Sequence, residues 1–244
     1  METIQCPFAT NAQLVMRNAI ERVKGIIIIC PGGAYEWKSP RELWPVADVF
    51  EQAGYGCIFL DYSVGTNLDL LPEKEGAWAV KTVRENIARG KPVILCGCSA
   101  GAHLAASVSV HTCAGSLSLP DAQILCYPVI TTGVYAHKET IGHLTTKKEL
   151  LPYFSLEKQV TPSVPPTFLW HTANDETVRV ENSLLFLTAL IQQGVVCEGH
   201  IYPFGKHGLS LASPEVAEPE KGRFSDSHVA SWSSLAIEWL DLIL

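Results

Sequence analysis

Ser99 sits in Gly97-Cys98-Ser99-Ala100-Gly101, with an apolar run, Val93-Ile94-Leu95-Cys96, leading in and a small-residue stretch, Ala102 to Val110, leading out. A serine flanked by glycines two residues to either side, between a strand-like and a helix-like run, reads as a sharp turn that presents the hydroxyl as a nucleophile. The glycines have a steric task. The turn strains the serine backbone, and side chains at either flank would collide with the adjoining strand and helix. The pattern alone is common, and a serine N-cap on an ordinary turn has the same letters. A serine hydroxyl is also a weak nucleophile. Its chemistry needs a base, a group that orients the base, and donors for a developing oxyanion.

Candidates exist for each part. Asp175, in Trp170-His171-Thr172-Ala173-Asn174-Asp175-Glu176, follows an apolar strand-like run and is the first candidate for the acid, with Glu176 in reserve. A plain polar turn is the competing account of that stretch, and Asp61 also ends a strand-like run but precedes Ser99. Among eight histidines, His207 stands out in Pro203-Phe204-Gly205-Lys206-His207-Gly208, a glycine-bracketed loop after the last strand-like run, where α/β sheets place their ligands. His103 falls one turn into the helix after Ser99, and His111, His137, His143 and His228 read as helix or loop surface. His171 and His200 fall inside strands, His171 close enough to the acid loop to support it. The expected oxyanion donors are the backbone N–H groups of Ala100 and of Gly33 and Ala34, in Cys30-Pro31-Gly32-Gly33-Ala34-Tyr35, where consecutive glycines free the backbone to turn its amides inward. Cys98, one residue before the serine, is expected to point into the sheet as packing.

The elements that must position these groups follow from hydrophobic periodicity. Gly25–Cys30, Cys57–Tyr62, Val93–Cys98, Ile124–Tyr127, Thr167–Thr172 and Cys197–Tyr202 are nearly continuous apolar runs, the signature of parallel strands covered on both faces. Between them Glu42–Ala53, Lys74–Ala88, Ala100–Thr112 and Asn182–Gln193 carry apolar residues at helical spacing, with Gly54, Gly90 and Gly194 as stops. Val229 to Leu244 predicts a C-terminal helix that docks on the sheet. The whole is a βαβ series, an α/β fold with a mostly parallel sheet. Two stretches break the alternation. Residues 1–24 read as helical at Gln13–Val23, and residues 129–166 are too long for a plain crossover and predict a small insertion over one edge of the site.

With 244 residues, 47% of them hydrophobic, the chain can bury a sizeable core, and one domain over 1–244 is expected. A net charge of −7 with no basic stripe argues against nucleic acid and acidic membrane surfaces and favours a neutral substrate. The segment Glu2-Thr3-Ile4-Gln5-Cys6 after Met1 lacks a basic and then apolar leader, and apolar runs elsewhere are too short to span a bilayer, so a soluble cytoplasmic protein is expected. The eight cysteines imply no disulfides, since most sit in apolar strands, and no redox pair or zinc pattern is formed.

Taken together, Pro31-Gly-Gly-Ala-Tyr35, Asp61-Tyr-Ser63, Gly97-Cys-Ser-Ala-Gly-Ala-His-Leu-Ala105, Trp170-His-Thr-Ala-Asn-Asp175 and His207-Gly-Leu-Ser-Leu211 resemble the α/β-hydrolase esterases of the acetyl esterase and acetylxylan esterase type, relatives of the hormone-sensitive-lipase group. The resemblance runs from about Ile26 to Leu211. It implies a Ser-His-Asp triad of Ser99, His207 and Asp175 in the order nucleophile, acid, base, with oxyanion amides at Gly33, Ala34 and Ala100. It further implies no metal or organic cofactor, and hydrolysis of short-chain esters, often acetyl groups on sugars, so that the partner is a small-molecule or oligosaccharide ester. Tyr35, Trp37 and Tyr127 lie near strand ends and are candidates to stack on a sugar or pack an acyl chain. The chain departs from the lipase pattern in having Pro31 where that group has histidine and Ala34 where it has a third glycine. The region before Gly25 is short, which predicts reduced or missing leading strands and no large cap. Amide or peptide cleavage is the alternative chemistry, and a hydrolase-fold ligand receptor the non-catalytic one.

Overall fold

A computed structural model describes residues 1–17, 20 and 22–244. The chain runs β1 (Glu2–Gln5), β2 (Gln13–Met16), β3 (Ile26–Cys30), α1 (Trp44–Gln52), β4 (Gly56–Asp61), α2 (Leu71–Asn86), β5 (Val93–Cys98), α3 (Ala100–His111), β6 (Ala122–Cys126), α4 (Lys138–Leu144), β7 (Thr167–Thr172), α5 (Glu181–Gln192), β8 (Cys197–Tyr202), α6 (Ser227–Ala230) and α7 (Trp232–Ile243). The strands form one eight-stranded sheet in the order β1-β2-β4-β3-β5-β6-β7-β8. From β4 to β8 every pairing is parallel, as the apolar runs predict, while β1 and β2 join antiparallel at the edge.

The run Ile26-Ile27-Ile28-Ile29 explains why such strands show no alternation. Successive side chains point to opposite faces, and both faces are covered. Ile26 and Ile28 pack with Val80 and Val83 of α2, Leu104 of α3 and Phe186 of α5. Ile27 and Ile29 pack on the other face with Val46 and Phe50 of α1 and Trp232 of α7. The C-terminal helix therefore docks on the sheet, with the Trp232 and Trp170 rings stacked at 5.4 Å.

The N-terminal region corrects two expectations. Gln13–Met16 is a strand instead of the start of a helix, and the leading strands are present, as β1 and β2. The remainder of the expected helix lies in part on residues 18, 19 and 21, outside the described residues. Leu14 and Val15 are buried against β4, with Leu14 opposite Leu60. A strand with two buried residues has no period to read, and ladder hydrogen bonds from β4 decide its form.

Topology then sets where a site can form. β3 lies between β4 and β5, so the chain leaves it in one direction through α1 and returns past it through α2. That reversal opens a crevice at the carboxyl ends of β3 and β5, the place where open α/β sheets bind ligands. Register pairs Cys30 with Gly97, so the Pro31–Tyr35 loop and the Ser99 turn leave the sheet side by side.

Candidate active site

Ser99 stands between β5 and α3 with φ 53° and ψ −114°, a conformation that costs about 1–3 kcal/mol in an L-residue. Its surroundings enforce it. The Ser99 N–H donates to Cys126 O at 2.9 Å, and Ser99 O accepts from the N–H groups of Ala102 and His103, both at 3.1 Å. A Cβ on Gly97 would run into Gly101 O and lie 2.5 Å from Ala102 Cα, and one on Gly101 would run into Cys30 O and lie 2.5 Å from the Cys30 carbonyl carbon. The flanking glycines are thus required by close approach of α3 to β5 and β3. Cys98 is buried in the sheet core; hydrogen bonding to Cys126 pulls its pKa down, but burial and nearby charge outweigh this and leave it raised to about 11, so it stays a neutral thiol at pH 7.

Ser99, His207 and Asp175 come together from three separate loops. The Ser99 Oγ–H donates to His207 Nε2 at 2.8 Å. His207 Nδ1–H donates to Asp175 Oδ2 at 2.7 Å, and the carboxylate thereby selects the ring tautomer that leaves Nε2 free to accept. Asp175 Oδ1 accepts from the N–H groups of Thr177 and Val178 at 2.9 and 3.0 Å. His171, inside β7, holds the same carboxylate: its Nε2–H is shared between Asp175 Oδ2 at 3.2 Å and Val178 O at 2.9 Å, while its Nδ1 accepts from the Ser183 hydroxyl at 2.8 Å. Burial raises the Asp175 pKa, but hydrogen bonds and charge from His171 and His207 outweigh it and hold the carboxyl well below the usual range. The group is a fixed anion at neutral pH. Glu176 is exposed, and Asp61 is taken up by Lys38 at 2.5 Å and by Gln13 at 3.1 Å.

The Pro31–Tyr35 loop is braced on all sides. Gly33, Ala34 and Tyr35 all have positive φ, at 133°, 55° and 60°. Gly33 O accepts from Glu36 N–H and Trp37 N–H, Gly32 O from Ser39 N–H, Ala34 O from His143 Nδ1–H at 2.9 Å, and Pro31 O from the Tyr62 hydroxyl at 2.5 Å. The Gly32 N–H is spent on Glu42 Oε2 at 2.7 Å. The N–H groups of Gly33 and Ala34 have no acceptor among the described residues, and the Ala100 N–H opens α3, where no intrahelical acceptor exists. Ala100 follows Ser99 in the chain, and Gly33 and Ala34 share a cleft with it. Gly32, Gly33, Ala34 and Ser99 line one cleft of about 210 Å³ with Trp37, His137, Glu139 and His207.

Of the three aromatic candidates, only Trp37 faces this cleft, half exposed. Tyr35 is 1% exposed, with its hydroxyl on His103 Nδ1 at 3.0 Å, so it braces the core instead of touching a substrate. Tyr127 is likewise buried: its hydroxyl donates to Glu42 Oε1 at 2.7 Å and accepts from the Ser210 N–H at 3.1 Å, and its ring meets His207 edge-on at 5.1 Å. Positive φ at both residues turns their side chains inward, which strand-end position alone does not reveal. His137 corrects another expectation, lining the cleft instead of lying on the surface.

Sequence patterns missed the groups that hold the His207 loop. Arg223 Nε–H donates to His207 O and Arg41 Nη1–H to Gly208 O, both at 2.8 Å, and Glu218 Oε2 joins the two guanidiniums at 2.6 and 3.2 Å. Glu42, expected as the first residue of a helix, is instead a buried carboxylate joining the Gly32 loop to Tyr127. No local signal marks such residues, because their partners lie up to 175 positions away. Among the described residues no group of three or more His, Cys, Asp or Glu side chains gathers as a metal site, and no helix is long and apolar enough to cross a membrane.

A family model for the alpha/beta hydrolase fold matches residues 27–159, and the chain belongs to that family. It is 34% identical over 209 residues to endo-1,4-beta-xylanase B of Butyrivibrio fibrisolvens, covering 78% of this chain and 33% of that protein. It is 25% identical over 200 residues to an acetylxylan esterase of Xylanibacter ruminicola, covering 77% of this chain and 41% of that protein. The chain thus spans about a third to two fifths of the length of these curated relatives. Among solved structures, the acetyl ester-xyloside bifunctional hydrolase of Caldicellulosiruptor lactoaceticus superposes with a TM-score of 0.83 at 32% identity, over 98% of this chain and 89% of that one.

Proposed function

We propose that this α/β-hydrolase, a carboxylic ester hydrolase, cleaves short-chain esters, acetyl esters of carbohydrates foremost, through Ser99, His207 and Asp175. The observation that carries the reading is the unbroken chain from Ser99 Oγ through both ring nitrogens of His207 to Asp175. His207 Nε2 takes the hydroxyl proton as Oγ attacks the ester carbonyl carbon, and Asp175 stabilises the resulting imidazolium. The tetrahedral oxyanion is received by the N–H groups of Gly33, Ala34 and Ala100, aided by the N-terminus of α3. Collapse expels the alcohol, which His207 protonates, and leaves an acyl-Ser99. Water then gives a proton to Nε2 and its oxygen to the acyl carbon, releasing the acid and restoring Oγ–H.

A cleft of about 210 Å³ favours a small acyl group, and similarity to a xylanase, an acetylxylan esterase and an acetyl ester-xyloside hydrolase favours acetyl esters and xylan-derived alcohols. The test is hydrolysis of p-nitrophenyl acetate, butyrate and octanoate and of acetylated xylo-oligosaccharides. Acetate is expected to be best, and Ser99→Ala to lower kcat by roughly 10⁶. Equal activity in Ser99→Ala sinks the mechanism, and preference for formyl-amides or peptidyl anilides over esters replaces it with the amidase alternative.

A further inference from the structure

Trp37, His137 and Glu139 line the Ser99 cleft and take no part in the proton relay, the oxyanion loop or the tethering of the His207 loop. His137 is held through Nδ1, which accepts from the Thr140 hydroxyl at 2.7 Å and the Thr140 N–H at 3.4 Å. Burial first, and then the charge of His207, lowers its pKa, so the ring is neutral at pH 7 with its proton on Nε2. That Nε2–H stands 4.0 Å from Glu139 Oε2. The gap is too long for a hydrogen bond between them, and both side chains line the cleft. One group satisfies both if it accepts from the imidazole and donates to the carboxylate. A hydroxyl does this, whereas a carboxylate or phosphate only accepts and an ammonium only donates. Trp37 adds a half-exposed indole to the same cleft, and the apolar C–H face of a pyranose packs well on such a ring.

We infer that Trp37, His137 and Glu139 form a sugar subsite for the alcohol half of the ester, with His137 and Glu139 sharing one ring hydroxyl and Trp37 covering a ring face. The inference rests on the short-acyl esterase reading and supplies its leaving-group specificity. It also gives a use to the stretch between β6 and β7, which brings His137 and Glu139 to the rim.

Competitive inhibition of p-nitrophenyl acetate hydrolysis by unacetylated xylotriose tests the subsite without requiring a sugar ester to be cleaved. The wild-type inhibition constant is expected to rise about tenfold in Glu139→Gln and in His137→Gln, and by a similar factor in Trp37→Ala. The kcat/KM ratio of acetylated xylotriose to p-nitrophenyl acetate is expected to fall by the same factor in each. Unchanged inhibition constants, or no inhibition of the wild type, overturn the subsite while p-nitrophenyl acetate turnover keeps the esterase reading intact. A wild type inert towards p-nitrophenyl acetate and acetylated xylotriose alike removes both together.

Discussion

The Ser99 turn and the His207 loop face each other across 2.8 Å, yet they are held by opposite means. The turn is held by steric exclusion: Gly97 and Gly101 let α3 approach β5 and β3 so closely that no side chain fits. Strain at Ser99 is absorbed by backbone hydrogen bonds from elements within and beside the turn. In the His207 loop the close neighbours are side chains instead of backbone: a Cβ on Gly205 would lie 2.6 Å from Leu209 Cδ1 and 2.7 Å from Thr172 Cγ2. Side chains from distant segments catch its carbonyls, Arg223 at His207 and Arg41 at Gly208, with Glu218 between them. Backbone enforcement gives Ser99 one position. Side-chain tethering leaves His207 a position that depends on charges and can be loosened by degrees.

The sharpest test of the pairing between the two sides is Asp175→Asn, which is expected to leave the fold intact and lower kcat by roughly 10⁴ through loss of the correct His207 tautomer. Steady-state kinetics on p-nitrophenyl acetate measure it, and activity retained there would move the acid to Glu176. On the steric side, Gly101→Ala drives a methyl into the Cys30 carbonyl. Destabilisation of about 3 kcal/mol or more is expected from such overpacking, checked by urea unfolding. A tolerated alanine would mean that α3 can retreat from the sheet.

A third prediction concerns the base of the turn. His103, one turn into α3 and fully buried, has its pKa pushed down to about 4 by burial. The unfolded chain therefore takes up this proton first, near the ordinary histidine value of 6.5. Its contribution to stability is complete above pH 6.5 and is lost as pH falls towards 4, by about 3 kcal/mol. Unfolding free energies measured across that window are expected to slope less in His103→Gln, and an identical slope would assign the loss to other groups. The smallest effect belongs to the tethered loop. Glu218→Ala frees the two guanidiniums without removing their bonds to the carbonyls, and kcat is expected to fall on the order of tenfold with KM little changed. A rise in KM larger than the fall in kcat would place Glu218 in substrate binding.

The same contrast explains what could be read in the sequence. β3 to β7 are mostly apolar and bounded by turn residues, so local composition suffices to find them, whereas β8 carries Glu198, Gly199 and His200 and is a half-exposed edge strand, not the covered apolar run expected. Ser99, Asp175 and His207 each follow one of these strands. Strands β1 and β2 escaped because four residues carry no period and their form depends on bonds to β4. Tyr35 and Tyr127 stood where cleft residues stand, but positive φ turns both into the core. Glu42 had the position of a helix start and became a buried strut between the Gly32 loop and Tyr127. His137 had the marks of a surface residue, and its place on the cleft follows only from the path of the chain between β6 and β7.

By itself, the sequence determined the parallel core, the glycine-flanked serine and the order of the candidate groups, because each depends on sterics and hydrophobic burial acting over a few consecutive residues. Tertiary structure alone decided which carboxylate faces His207, which amides remain free beside Ser99, and which side chains brace the loops or line the cleft. Those choices depend on hydrogen bonds and ion pairs between residues far apart in the chain, whose geometry exists only once the sheet has brought their loops to one edge.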